Sequence, residues 1–139
     1  MLHAAFLRSP YAHAEIKSID TRVAKSQTGI VAVFTAADLA EFCTPMQTRL
    51  EHIPQHSSAP QSPLAAGKAY WQGQPVAVVI GQSRAATEDA IEHIAVDWKE
   101  LPAVTDPAAA LAPQTTIIHP ELGNNLAFEL KLGAAIDDS

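Results

Sequence analysis

The side chains able to carry chemistry in this chain are six histidines, one cysteine and a few loop serines. His52 and His56 have the i, i+4 spacing that places two imidazoles on one helical face, as a zinc ion needs when further ligands converge. Pro54 interrupts a helix there and Glu51 is the nearest acidic residue in sequence, so the pair reads as loop histidines. Cys43 has no second cysteine with which to build a disulfide or a cysteine-based zinc or iron-sulfur site within the chain. Ser57, Ser58 and Ser62 are potential nucleophiles, but neither they nor Cys43 sit in a G-x-S-x-G elbow or another nucleophile motif. The paired carboxylates Glu88-Asp89 read as the wet side of a helix, and Asp137-Asp138 as a terminal tail. His13 belongs to the polar face of a strand, where pairing with a charge is expected, and His3, His93 and His119 stand singly. Tyr70, Trp71 and Trp98 offer faces for a stacked ligand, which would make the chain a stand-alone small-ligand binding module; aromatics beside strands more often anchor a core. No residue is assigned a catalytic, cofactor-binding or metal-ligating role.

The stretch Gly73 to Gly81, GQPVAVVIG, has glycines around an apolar run ahead of a helix. A phosphate-binding turn needs its glycines between strand and helix, where backbone N–H groups can approach the phosphate. Here Gly73 precedes the run, only Gly81 follows it, and neither G-x-G-x-x-G nor G-x-x-x-x-G-K-[ST] occurs. The stretch reads as a turn leading into a core strand.

Alternating residues position the rest. Ala12, Ala14 and Ile16 alternate with polar neighbours, and Leu2, Ala4 and Phe6 do the same, which predicts two half-buried strands joined by the turn Arg8-Ser9-Pro10-Tyr11. Asp20 through Ser26 is expected as a short helix capped by Asp20 and closed at Gly29. Ile30 to Phe34 is short, apolar and β-branched, so it is expected as a strand buried on both faces, followed by a helix with Thr35 as N-cap, Asp38 completing a capping box, and Leu39 and Phe42 on its apolar side. The same grammar returns with Val76 to Ile80, a Ser83 cap and the stripe Ala86, Ala90, Ile91 and Ile94. Val96-Asp97-Trp98 follows as a strand, then Asp106-Pro107 opens a short helix to Leu111. His119 to Asn125 is turn chemistry, and Phe128 to Gly133 is expected to begin another strand. Residues 44–63 form a long proline-containing loop, of the kind that is functional or disordered when it occurs inside a compact domain.

At 139 residues and 47% hydrophobic content, the chain is expected to form one domain over 1–139, cut from a longer polypeptide. A formal charge of −6 supplies no basic patch for nucleic acid or anionic membrane. No apolar run reaches the roughly 18 residues of a membrane span, and a reducing, cytoplasmic setting is expected.

Four ordered blocks carry a resemblance: Leu2-His3-Ala4-Ala5-Phe6-Leu7-Arg8-Ser9-Pro10-Tyr11-Ala12-His13-Ala14, then Gly29 to Leu39, then Tyr70 with Gly73 to Val79, then Ala85 to Pro102 with Val104-Thr105-Asp106-Pro107. Together they resemble the a/b hammerhead domain, the N-terminal domain of the molybdenum-binding large subunit in the xanthine dehydrogenase and aldehyde oxidase family. His119-Pro120-Glu121 and Gly123-Asn124-Asn125 resemble the branch with carbon monoxide dehydrogenase large chains. The resemblance implies an α+β fold of mixed strands with two strand-then-helix units. It further implies a parent oxidoreductase that uses molybdopterin, with iron-sulfur clusters and FAD on other domains or subunits, and oxygen drawn from water. The pterin-binding segments and catalytic glutamate of such enzymes lie in the larger domain that follows, and no position here matches them. Leu132-Gly133-Ala134 departs from the Gly-Asp common at that point in the family. The expected role is structural and interdomain, inert in isolation, with the catalytic domain and the iron-sulfur and flavin parts as partners.

Overall fold

The computed structural model describes residues 1–50, 53 and 56–129. The chain divides into two compact units, one from residues 1–46 and 61–103, the other from 47–60 and 104 onward.

The first unit holds two three-stranded sheets, each antiparallel throughout. In one, β5 (Pro75–Gly81) lies between β1 (His3–Arg8) and β3 (Ile30–Thr35). In the other, β2 (Ala14–Asp20) lies between β4 (Lys68–Ala69) and β6 (Ala95–Glu100). Both strand-then-helix units are present: β3 runs into α2 (Ala36–Leu39) and β5 into α3 (Arg84–Ile91).

Register decides which side of the first sheet is core. Ala5, Val79 and Val33 form one cross-strand row and Leu7, Ala77 and Thr35 the next. Helices α1 (Arg22–Lys25) and α3 pack on this side, closing a core of Ala24, Val33, Ala77, Val79, Ala90 and Ile94, with Ile19 and Val96 of the second sheet against it. Two expectations are corrected here. In β1 the period of two holds but the packed residues are Ala5 and Leu7, while Leu2, Ala4 and Phe6 face out. In β3 only one side is covered, because an antiparallel sheet needs a single packed face; Val33 is buried whereas Val31 and Phe34 are exposed.

Caps follow the sequence closely, because they are made by near neighbours. The Thr35 hydroxyl and amide both donate to Asp38 Oδ2 at 2.7 Å, giving the expected capping box. Ser83 Oγ accepts from Ala86 N at 3.2 Å. Two boundaries differ. Asp20 ends β2, and Thr21 holds the N-cap position of α1, although Asp20 still accepts from the Arg22 amide at 3.0 Å. Phe42 lies beyond α2 and is exposed. Thr87, fully buried on α3, was not in the expected stripe.

The strand-to-helix joint after β5 is tight. A Cβ on Gly81 would lie 2.8 Å from Thr87 Cγ2 and 3.0 Å from the Gly29 carbonyl. Gly29 itself takes a positive φ of 82°, and its carbonyl accepts from Gln82 N at 2.8 Å.

In the second unit, α4 (Pro107–Ala110) opens with Asp106 accepting from Ala108 N at 2.9 Å and Pro107 at the first turn, and it stops one residue short of Leu111. A 3-10 turn over Pro120–Leu122 closes at Gly123 with φ of 79°. Ser57 N donates to Ala127 O at 2.7 Å, so 47–60 is tied to the segment after 104. Phe128 and Glu129 are not in a strand, and the remainder of the expected strand lies outside the described residues. Among the described residues no helix is long and apolar enough to cross a membrane.

Candidate functional site

The blocks Arg8 to His13 and Tyr70 to Gln74, far apart in sequence, meet in a polar clasp at the entrance to β5. The Gly73 amide donates to Ser9 O at 2.8 Å, and the Ser9 amide donates to Gln74 O at 2.9 Å. Arg8 Nη1 donates to Gly73 O at 2.9 Å. Gln74 is buried, and its Oε1 accepts from the Tyr70 amide at 2.7 Å. Gly73 has φ of 87°, a left-handed value that glycine adopts without a Cβ penalty. The polar groups of this turn are therefore turned onto the protein itself, and its conformation is that of a strand entrance.

His13 completes the clasp and departs from expectation. It is 5% exposed, just ahead of β2, and its Nδ1 lies 2.8 Å from the Pro102 carbonyl. A carbonyl only accepts, so Nδ1 carries the proton in that bond. Nε2 is buried with no hydrogen-bond partner among the described residues. The ring stacks beside Tyr70, centroids 6.1 Å apart. The segment just past β6, the strand paired with β2 in the same sheet, meets a residue that the local polar alternation marks as wet.

The other candidates do not gather. Trp98 meets Tyr11 at 5.7 Å, while Trp71 is exposed on the turn before β5. None of the Tyr70, Trp71 and Trp98 rings lines the cavity beside Leu39 and Leu64, the one beside Leu111 and Asn125, or the one beside Leu50 and His56. Half-buried Cys43 and Ser62 border an apolar cavity of about 180 Å³ with Leu39 and Leu64. Ser58 Oγ donates to the Ala59 carbonyl at 3.5 Å, and Ser58 borders a cavity with His56, Leu50 and Ile53. His56 meets the Phe128 ring at 6.1 Å; His52, Glu51 and Pro54 lie outside the described residues, as do Asp137 and Asp138. His119 Nδ1 lies 3.2 Å from Glu121 Oε1, and Glu88 pairs with Arg84 at 2.7 Å on the exposed side of α3. His93 is exposed and His3 half-buried.

Two carboxylates are held below their ordinary range. Arg22 hydrogen bonds bring Asp20 from 3.8 to about 2, and the Thr35 hydroxyl lowers Asp38. Both bonds serve chain geometry at helix starts. Among the described residues no three His, Cys, Asp or Glu side chains converge on one point. The described residues thus offer no side-chain set for an iron-sulfur cluster or another protein-ligated metal ion.

Comparison with known proteins agrees with this fold. A family model described as aldehyde oxidase and xanthine dehydrogenase, a/b hammerhead domain, matches residues 1–102. The carbon monoxide dehydrogenase large chain of Afipia carboxidovorans is 38% identical over 126 residues, 91% of this chain and 15% of that protein. The nicotine 6-hydroxylase large subunit of Paenarthrobacter nicotinovorans is 36% identical, over 79% of this chain and 13% of its own length. The crystal structure of quinoline 2-oxidoreductase from Pseudomonas putida 86 superposes with a TM-score of 0.85 at 39% identity, covering 91% of this chain and 16% of that one. The chain therefore spans only 13% to 15% of the length of these two curated relatives. With its two antiparallel sheets, its paired strand-then-helix units and a match across 1–102, the chain belongs to the aldehyde oxidase and xanthine dehydrogenase a/b hammerhead family.

Proposed function

We propose that this chain is the structural and interdomain-packing hammerhead portion of a molybdenum-containing hydroxylase large subunit, and that the oxidoreductase chemistry belongs to the longer protein. The observation that carries the reading is the lopsided coverage: relatives align over 91% of this chain but 15% of their own length. One relative is named as a xanthine dehydrogenase molybdenum-binding subunit. The parent enzyme accordingly uses molybdopterin, with iron-sulfur clusters and FAD on other domains or subunits, in a cytoplasmic setting. Residues 1–139 act as one functional domain within it, with the catalytic domain of the same subunit as immediate partner. The clasp of Ser9, His13, Tyr70 and Gln74 supports a scaffold role, since its polar atoms organise the fold.

The test is to purify the polypeptide encoded by the native reading frame and measure molybdenum and pterin, alongside the 139-residue chain alone. About one molybdenum per longer chain and none in the 139-residue chain is the expected result. A longer chain without molybdenum, or stoichiometric pterin on the 139 residues, overturns the reading.

A further inference from the structure

The first sheet has a second apolar face, partly exposed among the described residues. On the side opposite the core, Ala4, Ile80 and Ala32 form one cross-strand row, and Phe6, Val78 and Phe34 form the next. All six are apolar, and the two phenylalanines remain 44% and 38% exposed. Arg8 is the nearby charge, its guanidinium 5.7 Å from the Phe6 ring at the strand end. The opposite face of the same sheet is packed by α1 and α3, whereas on this one Ala4, Phe6 and Phe34 stay exposed and Ala32, Val78 and Ile80 are half-buried.

Three strands about 4.8 Å apart and about 20 Å long present a face on the order of 300 Å². A stable complex of two separate proteins buries about 800 Å² on each partner. The face is thus too small to hold a second copy by itself, and two copies would also bring together chains of net charge −6. A covering surface on the same polypeptide escapes that requirement, because a tether supplies an effective concentration in the millimolar range without added contact area. The relatives place such polypeptide at hand, since this chain accounts for only 13% to 15% of the first two large chains described above.

We infer that the Phe6–Val78–Phe34 face is the seat for an apolar surface of the remaining part of the same large chain. This rests on the reading that the chain is part of a longer large subunit. It specifies which surface does the packing: docking runs through this face of β1, β5 and β3.

Hydroxyl-radical footprinting of the unmodified full-length large chain tests it without any substitution. Oxidation of Phe6 and Phe34 is read by peptide mass spectrometry in the native and the urea-denatured protein, and molybdenum is measured on the same preparation. The expected result is at least a tenfold slower oxidation of both rings in the native chain, unchanged on dilution. Rates within about threefold of the denatured chain overturn the inference, as partial exposure alone would give that much. Protection that vanishes on dilution also overturns it, in favour of a second copy. Absence of molybdenum with protected rings counts against the hydroxylase reading and leaves the docking face standing.

Discussion

Ser9 and Gln74 are joined backbone to backbone: the Ser9 amide donates to the Gln74 carbonyl at 2.9 Å, and Gln74 in turn receives the Tyr70 amide on its side-chain oxygen at 2.7 Å. One buried glutamine therefore ties the turn before β5 to the turn after β1. Replacing Gln74 by Ala removes the acceptor and leaves a void in a buried spot. The expected cost is about 1–3 kcal/mol of unfolding free energy, read from urea denaturation of the purified chain. A change below about 0.5 kcal/mol, the range of an ordinary surface substitution, would show that the clasp contributes little.

His13 gives a chemically specific comparison. Asn can place an amide N–H near the position of Nδ1, so His13→Asn retains a donor for the Pro102 carbonyl. His13→Leu keeps the bulk and loses the donor. The leucine variant is expected to be less stable than the asparagine variant by about 1 kcal/mol in the same urea titration. Equal midpoints would mean that the Pro102 bond has no net value.

Gly81→Ala drives a methyl group into Thr87 Cγ2 and the Gly29 carbonyl. Overpacking of this kind costs about 1–3 kcal/mol. Thr87→Ser removes Cγ2 but leaves the carbonyl, so the double variant is expected to lose less than the sum of the two single changes. Strict additivity in that double-mutant cycle would place the strain elsewhere.

Acid should weaken the starts of α1 and α2. Asp20 and Asp38 have folded-state values below their ordinary one, so the unfolded chain binds protons first and stability falls with falling pH. For Asp20 the loss begins near 3.8 and is complete below about 2. Asp20→Asn and Asp38→Asn should flatten the acid limb of a stability-against-pH curve, most visibly in amide exchange at Arg22 and Thr35. An unchanged limb in both variants would refute the assignment.

Asn125 organises the second unit. Its Nδ2 donates to Ala110 O at 3.1 Å and Thr116 O at 2.9 Å, while Oδ1 accepts from Ile118 N at 2.9 Å. Asn125→Asp turns a carboxylate oxygen toward two carbonyls. Local opening at Ile118 should become at least tenfold more frequent by hydrogen exchange, with the amides of β5 unaffected; uniform change across both units would contradict that locality.

Much of this was legible in sequence because it is made by near neighbours. The Thr35–Asp38 box, the Ser83 and Asp106 caps and the turn at Gly73 each involve residues within a few positions. Two of the differences depended on distant strands. Alternation in Leu2 to Leu7 gives a period but not a side, and the side is settled by pairing with β5, whose packed residues are Ala77 and Val79. His13 looked wet for the same reason: the Pro102 carbonyl that receives it follows β6, 89 positions away.

Met46 and Gln61 exchange amide bonds at 2.8 Å in both directions, pinching off the excursion between them from the first unit. For a chain emerging from the ribosome, this sets an order of events. Both sheets of the first unit can be complete once Glu100 has appeared, with the pinch closed around an excursion whose own partner at Ala127 has not yet been made. At about 5–20 residues per second, the stretch from Glu100 to Ala127 takes roughly 1–5 s to synthesise. During that interval the Met46–Gln61 clamp holds the two ends of the waiting segment together.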